Sequence, residues 1–227
     1  MDTINSLWIG DRLSTMERLS MKSFVANGHP YNLYRYEPID GVPSGVTIRD
    51  ANEVLPYDTL SKFNWTAQFA DLFRYTVVFN NGGWWADTDL VCLRPFVFEQ
   101  ETVAMEGANS PFKAPKNSPW LGRVIELANT KSWKTMDWGG IGGALMMQAG
   151  EEQGITYVGC HTFDPLQDSS DYQNFVNATP LELSPETYSV HLYHAMWTLR
   201  LGGGEGLDPD NIYPATSTYE MLKSRYL

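Results

Sequence analysis

Cysteine is nearly missing from this chain: Cys92 and Cys160 are the only two in 227 residues. Two thiols so far apart supply neither a disulfide framework nor a thiolate metal cluster. Cys92, in the apolar run Val91-Cys92-Leu93, reads as a small buried hydrophobe. Basic runs are missing too. With a net charge of −11, the chain is poorly suited to the phosphate backbone of a nucleic acid. No apolar stretch approaches the roughly 18 residues a membrane-spanning helix needs. The first 30 residues carry no basic segment followed by a long apolar one. Together with the scarce cysteine, this makes a cytoplasmic, reducing setting the expectation. No repeat, linker or low-complexity block divides the chain, so 1–227 is expected to be a single domain.

Aromatic residues, by contrast, are plentiful. They make up 13% of the chain, with eight Trp and twelve Tyr. Such a composition suits stacking on flat rings or sugar faces, and it equally suits an aromatic core. Hydrophobic residues at 43% and charged residues at 19% are ordinary for a globular protein.

Ile4 to Ile9 is short and apolar and reads as a first strand. Ser14, with Glu17 three residues on, signals a capped helix, and Asn27-Gly28-His29-Pro30 ends it. Tyr31 to Tyr36 alternates as a second strand, giving a β-α-β opening and a parallel pair. Val46 to Asp50 is a further extended piece. Phe69, Leu72, Phe73, Thr76, Val77 and Phe79 recur at helical spacing over 65–79. Thr102 to Met105 is a weak strand, Trp120 to Asn129 a helix, and Ala144 to Ala149 a helix start after the glycine-dense 138–143. Tyr188 to Trp197 reads as a strand holding two histidines, and 216–227 as a terminal helix. Alternating strands and helices mean an α/β fold with a mostly parallel central sheet flanked by helices. Ligands of such sheets sit beyond the carboxyl ends of the strands.

The chemistry centres on Asn80-Asn81-Gly82-Gly83-Trp84-Trp85-Ala86-Asp87-Thr88-Asp89-Leu90-Val91. In an extended segment, side chains at i and i+2 point the same way. Asp87 and Asp89 would then converge, with Thr88 facing away. Two converging carboxylates near apolar bulk call for a cation or a proton between them. An acidic turn in water is the plainer alternative. On the helix before it, Asp71 and Arg74 share a face. They form either an ordinary surface ion pair or a polar clamp for a hydroxylated ligand.

The order of these features is informative. Ala70-Asp71-Leu72-Phe73-Arg74-Tyr75, then Gly82-Gly83-Trp84-Trp85-Ala86-Asp87-Thr88-Asp89, then Arg94-Pro95 resembles the glycosyltransferases with a DXD sugar-binding region. That group contains α-1,4-galactosyl-, α-1,4-N-acetylglucosaminyl- and yeast initiating α-1,6-mannosyltransferases, with the clostridial glucosylating toxins as distant cousins. Ser6-Leu7-Trp8-Ile9-Gly10 looks like the family's opening strand, and 23–34 like its next helix and strand. Val190 to Trp197 resembles its His-to-Trp element, with His191 and Trp197 at those two positions. The likeness covers 4–95 well and the region beyond 135 in patches. The chain departs from the family at Gly139-Gly140, where Gly-Pro is common, and at Ala195-Met196-Trp197, where Gly-Ser-Trp is common.

The resemblance implies a GT-A-like single domain whose 1–95 half binds the nucleotide sugar and whose 96–227 half takes the acceptor. It implies retaining transfer of a hexosyl unit from a UDP-sugar or GDP-sugar donor, with Mn²⁺ (or Mg²⁺). Asp89 would hold the metal, with His191 and Asp87 as further ligand candidates. Asp87 would also contact the donor, and Asp71 and Arg74 the donor sugar's hydroxyls. Trp8 and Ile9 would line the base pocket and Trp197 would lie over the diphosphate. The acceptor would be a glycan, a lipid-linked glycan or a protein. A dication fits independent chemistry, since it lets an acidic protein accept an anionic donor.

Other residues are weaker candidates. Gly202 to Gly206 could be a lid or a plain surface loop, and Glu205 lies within it. His194 is expected to be a core residue. Asp137 is a candidate acid beside the acceptor, whereas Glu106, Asp164 and Asp208 read as solvated. Gly139 to Gly143 is no dinucleotide fingerprint, because Leu145 stands where a glycine is needed. A catalytically silent sugar-nucleotide or glycan-binding module stays open, whereas a haloacid-dehalogenase-like phosphatase with Asp87 as nucleophile is disfavoured, because the Asp-x-Asp follows a helix and two glycines rather than the first strand.

Overall fold

The structure is a computed structural model, and it describes residues 1–166, 169–199 and 206–227. The proposed lid, Gly202 to Gly206 with Glu205, lies outside the described residues except for Gly206.

The β-α-β opening forms as the sequence pattern demands. Strand β1 (Ile4–Trp8) leads to helix α1 (Thr15–Ala26) and strand β2 (Tyr31–Arg35), and β1 and β2 pair in parallel. Ser14 Oγ accepts from the Met16 amide at 3.2 Å, and Glu17 Oε2 accepts from the Ser14 amide at 2.7 Å. This reciprocal pair satisfies amides that the first turn leaves free. Strand β3 (Val46–Asp50) adds in parallel to β2. Helix α2 (Thr66–Asn81) buries Phe69, Phe73, Val77 and Val78 and ends at Gly82.

Gly82 and Gly83 make the turn into strand β4 (Gly83–Trp85), with φ of 73° and 90°. A Cβ on Gly83 would stand 2.7 Å from the Thr3 carbonyl, so only glycine lets β4 pair with β1 there. The sheet is completed by β6 (Val103–Ala104) and β7 (Phe112–Ala114), in the order β3-β2-β1-β4-β7-β6. The four strands β3, β2, β1 and β4 run parallel, and β7 and β6 are antiparallel additions. The central sheet is thus mostly parallel and flanked by helices, as expected. Helices α3 (Pro119–Asn129) and α4 (Gly143–Gln153) pack beside α2.

Alternation along β4 sends its two indoles to opposite faces. Trp85 joins the core under α2, and Trp84 joins the core with Phe24, Phe96 and Phe163. A third core lies beneath the C-terminal helix α6 (Thr218–Tyr226) and holds Met16, Val91, Val190, Trp197 and Tyr219.

Two expectations are corrected, for the aspartate pair and for Tyr188 to Trp197. The aspartate pair does not lie on an extended strand: residues 86–89 form a turn closed by the Leu90 amide donating to the Asp87 carbonyl at 3.1 Å. Strand β5 (Leu90–Cys92) leaves the main sheet and pairs antiparallel with β8 (Ser189–His191). Tyr188 to Trp197 is not one strand, because Tyr193, at φ 58°, breaks it and α5 (His194–Leu199) follows.

Candidate functional site

The site lies past the carboxyl ends of the parallel strands, where β1 and β4 finish side by side. Ser6 Oγ on β1 donates to the Ala86 carbonyl at 2.5 Å, fixing the chain as it leaves β4. The turn then presents both aspartates inward. One ligand atom each from Asp87, Asp89 and His191 lie within 4.8 Å of one another. A turn therefore achieves the convergence that strand alternation was expected to give.

Arg74 is the hub beside this group. Its Nη2 lies 3.3 Å from Asp71 Oδ1 and 3.3 Å from Asp87 Oδ1. Its Nη1 donates to the Asn109 carbonyl at 3.0 Å, and its guanidinium lies over the Trp85 ring at 5.3 Å. Its Nε is buried without a hydrogen-bond partner among the described residues. Trp85 Nε1 donates to Asp87 Oδ1 at 2.9 Å, and the Asp87 amide donates to Ser110 Oγ at 3.0 Å. Asn109 Nδ2 donates to Asp71 Oδ1 at 2.7 Å.

Electrostatics separates the carboxylates. Burial pushes Asp71 up to about 6, with Asp87 adding to the rise and Arg74 opposing it. Burial alone would raise Asp89 as well, but His191 and the His194 amide hold it well below the usual range. His191 is driven the other way. Burial works against its charge, yet the Asp89 carboxylate 3.2 Å from its Nε2 raises it to about 9. Asp89 thus favours the charged form of His191, and a metal held by these residues would have to displace that proton.

The sequence-derived residues are mostly brought together. Asp71, Arg74, Asp87, Asp89 and His191 form one continuous cluster. Trp8 and Ile9 are half-buried at the end of β1. The Trp8 ring meets His194 edge-on at 5.8 Å, and the His194 amide donates to Asp89 Oδ2 at 2.9 Å. His194 is therefore no plain core residue, and its Nδ1 is bound to Glu17 Oε1 at 2.5 Å. Trp197 is set apart, fully buried against Tyr213 and Tyr219, with no partner for its indole N–H among the described residues. Contact with a diphosphate would require that segment to shift. Glu106, Asp137 and Asp208 are exposed, whereas Asp164 is buried and accepts from the Tyr193 hydroxyl. Tyr193 in turn stacks on His191 at 4.3 Å.

Sequence reasoning missed Asn109, Ser110, Glu17 and Tyr193. Asn109 and Ser110 arrive on a loop far along the chain, and no local pattern marks them. The sequence around Glu17 carries a capping signal and nothing that points to His194.

Residues 18–109 match the family of the glycosyltransferase sugar-binding region containing the DXD motif. Over that stretch the chain is similar to a DXD-type glycosyltransferase sugar-binding region. The stretch contains Asp71, Arg74 and the Asp87–Asp89 pair, and it ends at Asn109. The solved structure of PaToxG glycosyltransferase is similar in fold, with a TM-score of 0.55 and 19% sequence identity over 67% of this chain and 69% of that one. The architecture is GT-A-like. No curated protein matches the chain in sequence.

The DXD group fits a metal by its donor chemistry. Two carboxylates and one imidazole suit a divalent ion such as Mn²⁺, and suit Mg²⁺ less well because Mg²⁺ prefers an all-oxygen shell. No helix among the described residues is long and apolar enough to cross a membrane.

Proposed function

We propose that this chain is a metal-dependent, retaining glycosyltransferase that moves a hexosyl unit from a UDP-sugar or GDP-mannose donor to a hydroxyl acceptor. The observation that carries this reading is the meeting of the Asp87–Asp89–His191 group with the Asp71–Arg74 pair beyond the strand ends. Asp89 and His191 would hold the metal, and Asp87 would serve both metal and donor. When bound, the ion would neutralise charge on the diphosphate oxygens as a Lewis acid. Arg74 and Asp71, with Asn109, would hold the sugar hydroxyls, one donating and the others accepting. Trp8 and Ile9 would flank the base. Trp197 would reach the diphosphate only after its segment shifts.

Asp87 is engaged by Arg74 at one oxygen and by both Arg74 and Trp85 at the other. That suits a donor-binding carboxylate better than the free nucleophile a phosphatase needs. The acceptor would be a glycan, a lipid-linked glycan or a protein. The test is a panel of sugar nucleotides incubated with Mn²⁺ and assayed for UDP or GDP release. Slow metal-dependent release, abolished in Asp89→Asn, is expected. Tight donor binding with no turnover across an acceptor screen would instead identify a silent binding module. Free phosphate from phosphomonoesters without nucleotide would identify a phosphatase.

A further inference from the structure

Two of the eight tryptophans stand apart from the rest. Trp65 is 48% exposed and Trp138 is 55% exposed, whereas the other six are buried or half-buried. Both belong to one corner of the molecule. Gln68, fully buried, accepts from the Trp65 amide at 3.3 Å and donates to the Asp137 carbonyl at 2.9 Å. Phe63 and Trp133 stack face to face at 4.4 Å, and the Asn64 amide donates to the Trp133 carbonyl at 3.3 Å. Segments 63–65 and 133–138 are thus held as one unit.

That unit continues into the site. Trp65 is the N-cap of α2, and Gln68, Asp71 and Tyr75 follow at spacings of three and four on one face of that helix. The loop 136–142 runs beside it. Asp137 meets Gln68, the Tyr75 hydroxyl donates to the Ile141 carbonyl at 2.7 Å, and a Cβ on Gly142 would lie 3.9 Å from Asp71 Oδ2. Along the helix axis, Trp65 is about 9 Å from Asp71.

We propose that Trp65 and Trp138 form a platform that binds an oligosaccharide acceptor by stacking against its sugar rings, next to the Asp71–Arg74 site. This rests on the glycosyltransferase reading of that site. An indole face covers the C–H face of a sugar, and the hydroxyls at the sugar's rim find acceptors in the exposed Asp137 carboxylate and nearby carbonyls. A lipid tail asks for contiguous apolar surface, and here exposed Lys134, Asp137 and Gly139 interrupt it.

The experiment is binding of cellohexaose, chitohexaose and maltohexaose, measured by calorimetry on wild type, Trp138→Ala, Trp138→Tyr and Trp65→Phe. UDP and GDP release from sugar nucleotides by the wild type is measured separately. At least one oligosaccharide is expected to bind, with affinity falling about ten-fold or more in Trp138→Ala. Trp138→Tyr and Trp65→Phe, which keep a flat ring, should retain most of it. Circular dichroism checks that each variant is folded. Binding that is equal in wild type and Trp138→Ala would overturn the platform, as would no binding of any of the three or transfer to protein acceptors alone. Nucleotide release separates the two failures. Its absence from the wild type refutes the glycosyltransferase reading, and loss of oligosaccharide binding in Trp138→Ala would still support the platform.

Discussion

Glu17 and His194, far apart in sequence, meet at 2.5 Å in the fold, and between them they connect the start of α1 to the DXD turn. Glu17 is fully buried. One of its oxygens caps α1 through the Ser14 amide at 2.7 Å, and the other holds His194 Nδ1. The His194 amide then donates to Asp89 Oδ2 at 2.9 Å. Glu17→Ala removes a helix cap and the partner of a largely buried imidazole together. Each loss is of order 1–3 kcal/mol. Urea unfolding should show a destabilisation of about 2–4 kcal/mol, with Glu17→Gln less affected because its amide oxygen can still cap Ser14. Equal stability of Glu17→Ala and wild type would show that the contact contributes nothing.

Asp71 makes the fold sensitive to pH. Its carboxyl titrates at about 6 in the folded protein, because burial disfavours its charge more than Arg74 favours it. An ordinary aspartate titrates near 3.9. The folded state therefore binds the proton more tightly, and stability falls as pH rises from about 4 through 6. Below that window both states are protonated and the effect vanishes. Above it, the loss amounts to roughly 3 kcal/mol. Asp71→Asn should thus be more stable than wild type at pH 7 and nearly equal to it at pH 4. A stability gap that is constant across this range would contradict the burial argument.

The parts of this arrangement legible in sequence are the local ones. The Ser14–Glu17 cap, the Gly82-Gly83 turn and the face shared by Asp71 and Arg74 each rest on spacings of three residues or fewer, and all are present. The DXD pair was legible as chemistry but not as shape, because period-two alternation cannot reveal the turn at 86–89. β7 is three residues long, Phe-Lys-Ala, too short to carry a pattern. At Tyr188 to Trp197 the apolar run hid a change from strand to helix at Tyr193, whose positive φ has no glycine to announce it. Asn109 reaches Asp71 only because the loop after β6 folds back over α2.

Asp89 and His191 should control metal affinity. Calorimetry with Mn²⁺ is expected to show binding to the wild type, weakened by more than about 100-fold in Asp89→Ala and strongly in His191→Ala. Even a partner behind a ligand is worth about 10–100-fold. Tyr193→Phe, which keeps the ring stacked on His191 and removes the hydroxyl that Asp164 accepts, should change affinity far less. Mn²⁺ affinity unchanged in Asp89→Ala would remove the basis for the metal site.

Gly83→Ala tests the turn that delivers the site. At φ 90° any side chain is strained, and its Cβ would press on the Thr3 carbonyl from 2.7 Å. The Trp84 amide donates to that same carbonyl at 2.9 Å, so β4 must part from β1 to make room. Strain of this kind amounts to about 1–3 kcal/mol before the lost pairing is counted. A lower melting temperature is expected, together with weaker Mn²⁺ binding, because Ala86 to Asp89 follow directly. Wild-type stability and metal affinity in Gly83→Ala would show that the β1–β4 junction tolerates a side chain.

Arg74→Lys separates charge from shape. A lysine keeps the positive charge but offers one compact ammonium in place of a planar fork. Arg74 uses that fork to reach Asp71, Asp87 and the Asn109 carbonyl at once, while its plane lies over Trp85. Lysine can satisfy one or two of these contacts, so the two carboxylates lose their fixed spacing. If Arg74 positions the donor sugar, kcat/KM for sugar-nucleotide turnover should fall by about 10–100-fold in Arg74→Lys, a loss of roughly 1.4–2.7 kcal/mol. Affinity for the free nucleoside diphosphate should change much less, because the nucleotide's contacts are assigned to Trp8, Ile9 and the metal group. The comparison is steady-state kinetics on the sugar nucleotide against calorimetry with UDP or GDP. Equal losses in both would move Arg74 from the sugar to the diphosphate.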